Sequence, residues 1–530
     1  MISPLRRTAA LVAAALLVTS CSGDTQAPPP SSAPAPSTTA STTPDPAALA
    51  KFTGQRLNWG PCGPFAQDDT TKKLFADKTL DCAKLTVPLN YLKPGDDTVT
   101  LGLLRHKATK TAERIGSLVT DPGGPGGSGM TEAASLAKAP SAARLLQRFD
   151  LVGFDPRGVG ASEPRVTCRT DAEQDADRAS DSESDTSPAG VTKQLADAVE
   201  YSSKCVDNTP HGAAFLANIG TRDVVRDLDV LRAALGDKKL TYLGFSYGTQ
   251  IGTAYAEAYP ANVRAMVLDG AVDPEQDIAT SLITQMGGFQ DAFTEFGQWC
   301  APRADCALGR DAAGVTAAFQ KLARPLITKP VTVGRRALSF EDTVTGTSAA
   351  LYSRNAWPFL NAGLAQLKRG QGNNLLALAD SYYGRDQTGH YHGEIDVYFA
   401  VRCVDYARIT DRAAIDTAHA RMLQAAPYLV GGTPDTSELD ICSSWPVRPT
   451  SQAHLPHISG LPKTLVISTT HDPATPYQQG VNLARDIKGA LLTFDGAQHT
   501  IFLEGNACVD KAGTDYLVDG TVPADGARCS

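Results

Sequence analysis

The chain has 530 residues, of which 42% are hydrophobic and 20% charged, and its net charge is −8. That length exceeds one compact core and suits two or three units of ordinary globular composition. The acidic balance, with no basic stripe carrying interleaved aromatics, excludes nucleic acid as a partner.

Arg6 and Arg7 precede an apolar run from Ala9 to Val18, followed by Val18-Thr19-Ser20-Cys21. A positive segment, a short apolar segment and a small-residue site ending in cysteine form the pattern of a bacterial lipoprotein signal. Residues 1–21 are therefore expected to be a signal peptide, with Cys21 the point of lipid attachment. Past that segment no apolar run reaches the ~18 residues a membrane span needs. Residues 22–50 are dominated by Pro, Ser, Thr and Ala. Such a stretch cannot bury a core and is expected to be an extended, disordered linker. The expected location is the cell envelope, with the chain lipid-anchored to the outer face of the bacterial plasma membrane or partly released. The membrane would be contacted through the N-terminal lipid alone.

The sequence contains 11 cysteines. With Cys21 set aside, the rest fall into close pairs along the chain, and an even number in an exported protein points to disulfides. Pairing of neighbours (Cys62–Cys82, Cys168–Cys205, Cys300–Cys306, Cys403–Cys442, Cys508–Cys529) is favoured because short loops close at lower entropic cost. Sequence leaves the connectivity open. A zinc site fails as the alternative, since there is no C-x-x-C and no histidine at ligand spacing, and no metal is expected.

Short aliphatic and β-branched runs predict strands at Val99–Leu104, Ser117–Thr120, Phe149–Phe154, Leu240–Gly244, Val263–Leu268, Thr464–Ser468 and Leu491–Phe494. Val224, Val225, Leu228, Leu231 and Leu235 recur at helical spacing between Thr221 and Leu235. Alternation of strands with helices predicts an α/β fold with a mostly parallel central sheet. The alternation stops between about residues 273 and 456, where the pattern is mainly helical. An inserted cap over the C-terminal edge of the sheet is the simplest account, dividing the core into residues 51–272 and 457–530.

The chemistry-bearing motifs sit at strand ends. Leu240–Leu243 runs into Gly244-Phe245-Ser246-Tyr247-Gly248 and then a helical stretch. This is a G-x-S-x-G nucleophile elbow in its strand–turn–helix setting, which makes Ser246 the candidate nucleophile. A serine needs a base, and the base needs an orienting acid. Around such an elbow the acid and then the histidine follow the serine in the chain. Asp472 follows the strand 464–468, and His499 follows 491–494. Asp495 is the rival acid, only four residues before His499. His471 adjoins Asp472, where pairing is geometrically poor, and His390, His392, His419, His454 and His457 lie in or beside the cap. The run Asp121-Pro122-Gly123-Gly124-Pro125-Gly126-Gly127-Ser128-Gly129 follows the strand 117–120. Its glycines let backbone N–H groups approach a developing oxyanion, with Gly124 and Tyr247 as the expected donors. A phosphate-cradling loop lacks its Lys-Ser/Thr here.

Residues 121–129, Phe-Asp-Pro-Arg-Gly-Val-Gly-Ala-Ser (154–162), Gly-Phe-Ser-Tyr-Gly-Thr (244–249), Asp-Pro-Ala-Thr-Pro (472–476) and Gly-Ala-Gln-His-Thr (496–500) resemble the tripeptidyl aminopeptidase branch of the α/β-hydrolases. These are exported actinobacterial enzymes related to proline iminopeptidases. Thr86-Val87-Pro88-Leu89-Asn90-Tyr91 and Leu268-Asp269-Gly270 add to the resemblance, which spans about residues 55 to 530 and is weakest in the cap. It implies a Ser246–Asp472–His499 triad, an oxyanion hole from Gly124 and Tyr247, no cofactor, and peptides or proteins with a free N-terminus as substrates. Two positions depart from it: Pro122 replaces the histidine of His-Gly-Gly-Pro-Gly, and Gln498 stands where a glycine is common. An aminopeptidase also needs carboxylates for the substrate ammonium, and Glu394, Asp396 and Asp405 are the candidates. The alternative reading is an envelope esterase or lipase using the same triad.

Overall fold

The computed structural model describes residues 46–180, 187–431 and 441–530. The expected signal peptide, Cys21 and residues 22–45 of the expected linker lie outside the described residues, while residues 46–50, expected to be disordered, belong instead to the helix Pro46–Thr53. Among the described residues eleven strands occur, in chain order β1 (Leu80–Pro88), β2 (Thr98–His106), β3 (Gly116–Asp121), β4 (Phe149–Phe154), β5 (Leu240–Phe245), β6 (Val263–Asp269), β7 (Val331–Val333), β8 (Arg336–Leu338), β9 (Leu465–Thr469), β10 (Ala490–Phe494) and β11 (Arg528–Cys529). Nine form one sheet in the order β1-β2-β4-β3-β5-β6-β9-β10-β11, while β7 and β8 make a separate hairpin. Pairing is antiparallel at β1–β2 and β2–β4 and parallel from β4 onward.

All seven expected strands are present. Their unbroken apolar runs follow from helices covering both faces, so that every residue of β3, β5 and β9 is buried. The edge strand β1 was not anticipated, because Asp81 and Lys84 interrupt its apolar run. The helix Thr221–Ala234 forms at the expected place and buries Val224, Val225, Leu228 and Leu231 against the sheet.

Residues 44–530 form one compact unit. The stretch between β6 and β9 is mainly helical, but it does not pack as a single body. Phe289, Phe293, Phe296, Phe319, Trp357 and Tyr428 belong to a hydrophobic cluster of that stretch's own. The helix Glu394–Asp405 instead sends Val397, Ala400, Val401 and Val404 into the main core beneath the sheet. Two earlier helices, Asp171–Ser180 and Pro188–Asn208, join this layer. Arg178 bonds Asp342 and Asp380, and Tyr201 bonds Asp396. Sequence periodicity does not register such contacts, which cross about 160 to 200 residues.

Five disulfides join Cys62–Cys82, Cys168–Cys205, Cys300–Cys306, Cys403–Cys442 and Cys508–Cys529. Among the described residues no helix is long and apolar enough to cross a membrane.

Candidate active site

Ser246 stands between β5 and the helix Tyr247–Ala258 with φ 54° and ψ −124°, a left-handed conformation that side chains rarely adopt. The turn closes only because Gly244 lacks a side chain, since a Cβ there would fall 2.4 Å from the Gly248 carbonyl, and Gly248 lets the helix approach β3, since its Cβ would fall 2.6 Å from the Asp121 carbonyl. The Ser246 N–H donates to the Asp269 carbonyl (2.9 Å), tying the elbow to the end of β6.

The loop after β3 lies against this elbow. A Cβ at Gly123 would sit 2.5 Å from the Phe245 carbonyl and 2.7 Å from the Tyr247 nitrogen, so the glycine loop and the first residue of the elbow helix are in direct contact. Asp121 closes the base of the loop by accepting the Gly123 N–H at 2.8 Å. That leaves Gly124, the residue named from sequence, at the mouth beside Ser246 and Tyr247, all three lining one cleft.

Asp472 and His499 meet as side chains. His499 Nδ1 lies 2.9 and 3.0 Å from the two Asp472 oxygens. Oδ1 of Asp472 also accepts the N–H groups of Ala474 (2.9 Å) and Thr475 (2.8 Å), and Oδ2 accepts the Thr475 hydroxyl at 3.1 Å. Burial opposes charge on the imidazole, but the Asp472 carboxylate outweighs it and holds His499 above its ordinary value. Nε2 points away from Asp472, is buried and makes no hydrogen bond among the described residues. The ring lies at the same turn that holds the elbow: a Cβ on Gly270, next to Asp269, would be 3.1 Å from His499 Cε1. Asp495, the rival acid, pairs instead with Arg528 on the surface.

Three supporting residues were not singled out from sequence. Thr475 Oγ1 touches both Asp472 and His499 Nδ1, the latter at 3.3 Å. Tyr352, from the helical insertion, accepts the His499 N–H at 2.9 Å and packs its ring edge-on to the imidazole. Asp269 accepts the N–H groups of Ile501 (2.8 Å) and Phe502 (2.7 Å), the turn just beyond His499. Burial pushes its carboxyl up to about 6 against the pull of those two N–H groups. The Leu268-Asp269-Gly270 motif was visible, but its link to residues 501–502 spans over 230 positions.

The three carboxylates put forward for the substrate ammonium separate. Asp396 is a correction: it is buried, and both oxygens are taken, by the Cys168 N–H (2.8 Å) and the Tyr201 hydroxyl (2.6 Å). It joins the helix Glu394–Asp405 to the disulfide region and is unavailable to a ligand. Asp405 lines the Ser246 cleft but accepts the N–H (2.9 Å) and hydroxyl of Thr221. Burial pushes it up to about 7 despite those bonds. The Glu394 side chain makes no hydrogen bond or ion pair among the described residues. It sits in a crevice, crowded by protein yet open to solvent, and desolvation raises it to about 7.

The cleft beside Ser246 is small, about 80 Å³, and meets a larger chamber of about 430 Å³ through Leu282, Gln285, Tyr398 and Arg402. Gln250, Gln285 and Gln479 line the first, and Tyr382, Tyr383 and Phe399 line the second. Elsewhere Asp273, Glu275 and Asp486 converge closely enough to hold a cation. Arg485 and Asn482 already meet that charge.

A serine on a strained turn at the end of a central parallel strand, over a sheet covered on both faces, is the layout of an α/β-hydrolase. The sequence profile of the alpha/beta hydrolase fold family matches residues 117–506. Serine protease Hip1 of Mycobacterium tuberculosis is 45% identical over 485 residues, covering 90% of this chain and 91% of that protein. Carboxylesterase B of the same species is 44% identical over 498 residues, covering 93% and 94%. Tripeptidyl aminopeptidase of Streptomyces lividans is 31% identical over 470 residues, covering 86% and 84%. The chain therefore belongs to the α/β-hydrolase serine peptidase family of actinobacteria and is a serine hydrolase.

Proposed function

We propose that the protein is an exported, lipid-anchored aminopeptidase that releases short peptides, tripeptides foremost, from free N-termini through an acyl-enzyme. Ser246 attacks the carbonyl carbon as His499 Nε2 takes the hydroxyl proton. Asp472 holds the imidazole with Nδ1 protonated and steadies the cation that forms. The N–H groups of Gly124 and Tyr247 receive the oxyanion. The C–N bond breaks as His499 returns the proton to the leaving amine, and water then hydrolyses the Ser246 ester by the same proton path.

The observation that carries the choice of peptide is the lining of the cleft. Three glutamines and Arg402 share the cleft beside Ser246 with Val272, Ile278, Leu282 and Val401, a mixed wall where an acyl chain of a lipid would require a continuous apolar one. The length of a tripeptide, roughly 10 Å when extended, also suits a small cleft leading into a second chamber. Of the candidate carboxylates, Glu394 is the one with its hydrogen-bonding capacity unused, and it is assigned to the substrate ammonium. Lipidation at Cys21 and the envelope location rest on the N-terminal sequence pattern; the five disulfides are compatible with an oxidising compartment. A second reading, an esterase, is favoured by the relative named carboxylesterase B.

The test is a panel of anilides of tri-, di- and single residues, free and N-blocked, beside short and long acyl esters, with Ser246→Ala as control. Free tripeptide anilides are expected to be cut at least tenfold faster than blocked ones. Equal cleavage of blocked peptides overturns the aminopeptidase reading, and turnover of long acyl esters alone establishes the esterase.

A further inference from the structure

The two sides of the expected oxyanion hole come from distant parts of the chain, the 123–127 loop and Tyr247, yet one helix touches both. At its first residue, the helix Glu394–Asp405 lies flat on the loop: a Cβ on Gly126 would fall 2.7 Å from the Glu394 carbonyl oxygen and 3.2 Å from its Cα. Nothing larger than glycine fits there. At its last residue, Asp405 reaches Gly220 and Thr221, where a Cβ on Gly220 would meet the carboxylate at 2.5 Å.

Thr221 opens the helix Thr221–Ala234, whose N-cap is Gly220 and which has no side-chain cap of its own. Asp405 supplies that cap from the other helix, accepting the Thr221 N–H at 2.9 Å where the helix dipole favours an anion. The Thr221 hydroxyl donates to the second Asp405 oxygen, which can only accept when ionised. With Asp405 ionised, the remaining contact of Thr221 Oγ1, to the Tyr247 hydroxyl at 2.6 Å, is donated by the tyrosine. A directed chain thus runs Tyr247 to Thr221 to Asp405, from the elbow helix to the end of the insertion helix.

The insertion helix is itself immobilised. Asp396 fixes its first turn through the Cys168 N–H and Tyr201, and the Cys403–Cys442 disulfide fixes its last. Twelve residues at about 1.5 Å each make it an 18 Å strut.

We infer that the helix Glu394–Asp405 is a splint that sets the spacing of the two oxyanion donors, with Thr221 and Asp405 as positioning residues acting on Tyr247. Asp405 then serves the enzyme's own geometry and is not the ligand of the substrate ammonium. The inference rests on the serine-hydrolase reading of Ser246, but not on the preference for peptides over esters.

The test uses the full chain with Thr221→Val, Thr221→Ser, Tyr247→Phe and Asp405→Asn. Tyr247→Phe removes one hydroxyl from a buried ring and keeps the backbone N–H, so it folds even where Asp405→Asn does not. For each variant kcat and KM are measured on a free tripeptide anilide and on a short acyl ester, with the inhibition constant of a peptide boronate that mimics the tetrahedral intermediate. Losing an oxyanion donor outright costs about 100- to 1,000-fold, so displacing one is expected to cost about 10- to 100-fold in kcat. Thr221→Val and Tyr247→Phe should show that loss with KM within twofold, on both substrates, and the boronate constant should rise in parallel. Thr221→Ser should recover most of the rate. Unchanged kcat in Thr221→Val and Tyr247→Phe overturns the splint. A rise in KM at constant kcat for Asp405→Asn, seen on the free-amine peptide but not on the ester, also overturns it and returns Asp405 to the ammonium. Ester turnover without peptide turnover in the unaltered protein defeats only the peptidase reading, since the splint is still read on the ester.

Discussion

Replacement of Asp472 by asparagine has a single available geometry, and its consequence can be worked out. Oδ1 of Asp472 is committed to two backbone donors, the N–H groups of Ala474 and Thr475. An amide nitrogen placed there would meet two donors, so the Asn oxygen must take that position and its NH₂ must take the place of Oδ2. That NH₂ then faces His499 Nδ1, which in the native protein lies 3.0 Å from Oδ2. The Asn oxygen, at the position 2.9 Å from Nδ1, competes for the Nδ1 proton, while the NH₂ donating to Nδ1 populates the other tautomer, with the proton on Nε2, where Nε2 can no longer accept from Ser246. The expected loss is about 10⁴-fold in kcat, as for other triads with an inverted tautomer. That is about 5.4 kcal/mol of transition-state stabilisation. A second signature concerns pH. His499 must be neutral to act as a base, and its pKa is held above 6.5 because the Asp472 carboxylate outweighs burial. Activity is therefore lost as pH falls through that raised value, which puts the acid limb at higher pH than an ordinary imidazole would. With the Asp472 carboxylate gone, burial is opposed only by the weaker attraction of Asp269, so the limb of Asp472→Asn moves to lower pH. The assay is kcat/KM from pH 5 to 9, with the rate of labelling by a fluorophosphonate and a thermal unfolding curve. A folded Asp472→Asn with less than a tenfold loss, or with its acid limb unmoved, refutes the reasoning.

Asp269→Ala should slow catalysis roughly tenfold or more with little change in KM, because it frees the Ile501 and Phe502 N–H groups that set the turn after His499. Steady-state kinetics check this, and a change confined to KM would contradict it. Arg157→Met should destabilise the fold by about 3 to 5 kcal/mol, since it strands the fully buried Asp227, which the guanidinium grips at 2.7 and 2.6 Å. Denaturant unfolding measures this, and Arg157→Met combined with Asp227→Leu should be less destabilised than Arg157→Met alone.

The parts of this site that were legible in the sequence are those where chemistry and local structure coincide. Ser246 lies in a pentapeptide whose glycines are demanded by the turn, and β5 before it is an unbroken apolar run because both of its faces are covered. Asp472 and His499 follow short strands in the order the fold requires. Thr475 stood inside the quoted 472–476 motif, but a hydroxyl at that spacing reveals no partner until the loop is folded. Tyr352 acts through a backbone carbonyl, for which residue type carries no signal. Asp396 and Asp405 were attractive as charges, yet a sequence does not show which lone pairs are already filled. Their partners, Cys168, Tyr201 and Thr221, lie about 180 to 230 positions upstream. The helical insertion is legible as helical, but not as two parts, because the helix Glu394–Asp405 takes its apolar face to the sheet's core.

The central claim is that Ser246 is the nucleophile on which the whole arrangement converges. Incubation with a fluorophosphonate, proteolysis and mass spectrometry test it directly. One adduct per chain is expected, on the peptide bearing Ser246, formed faster as pH rises through the His499 transition and absent from Ser246→Ala. An adduct on any other residue, or full hydrolytic activity in Ser246→Ala, would contradict it.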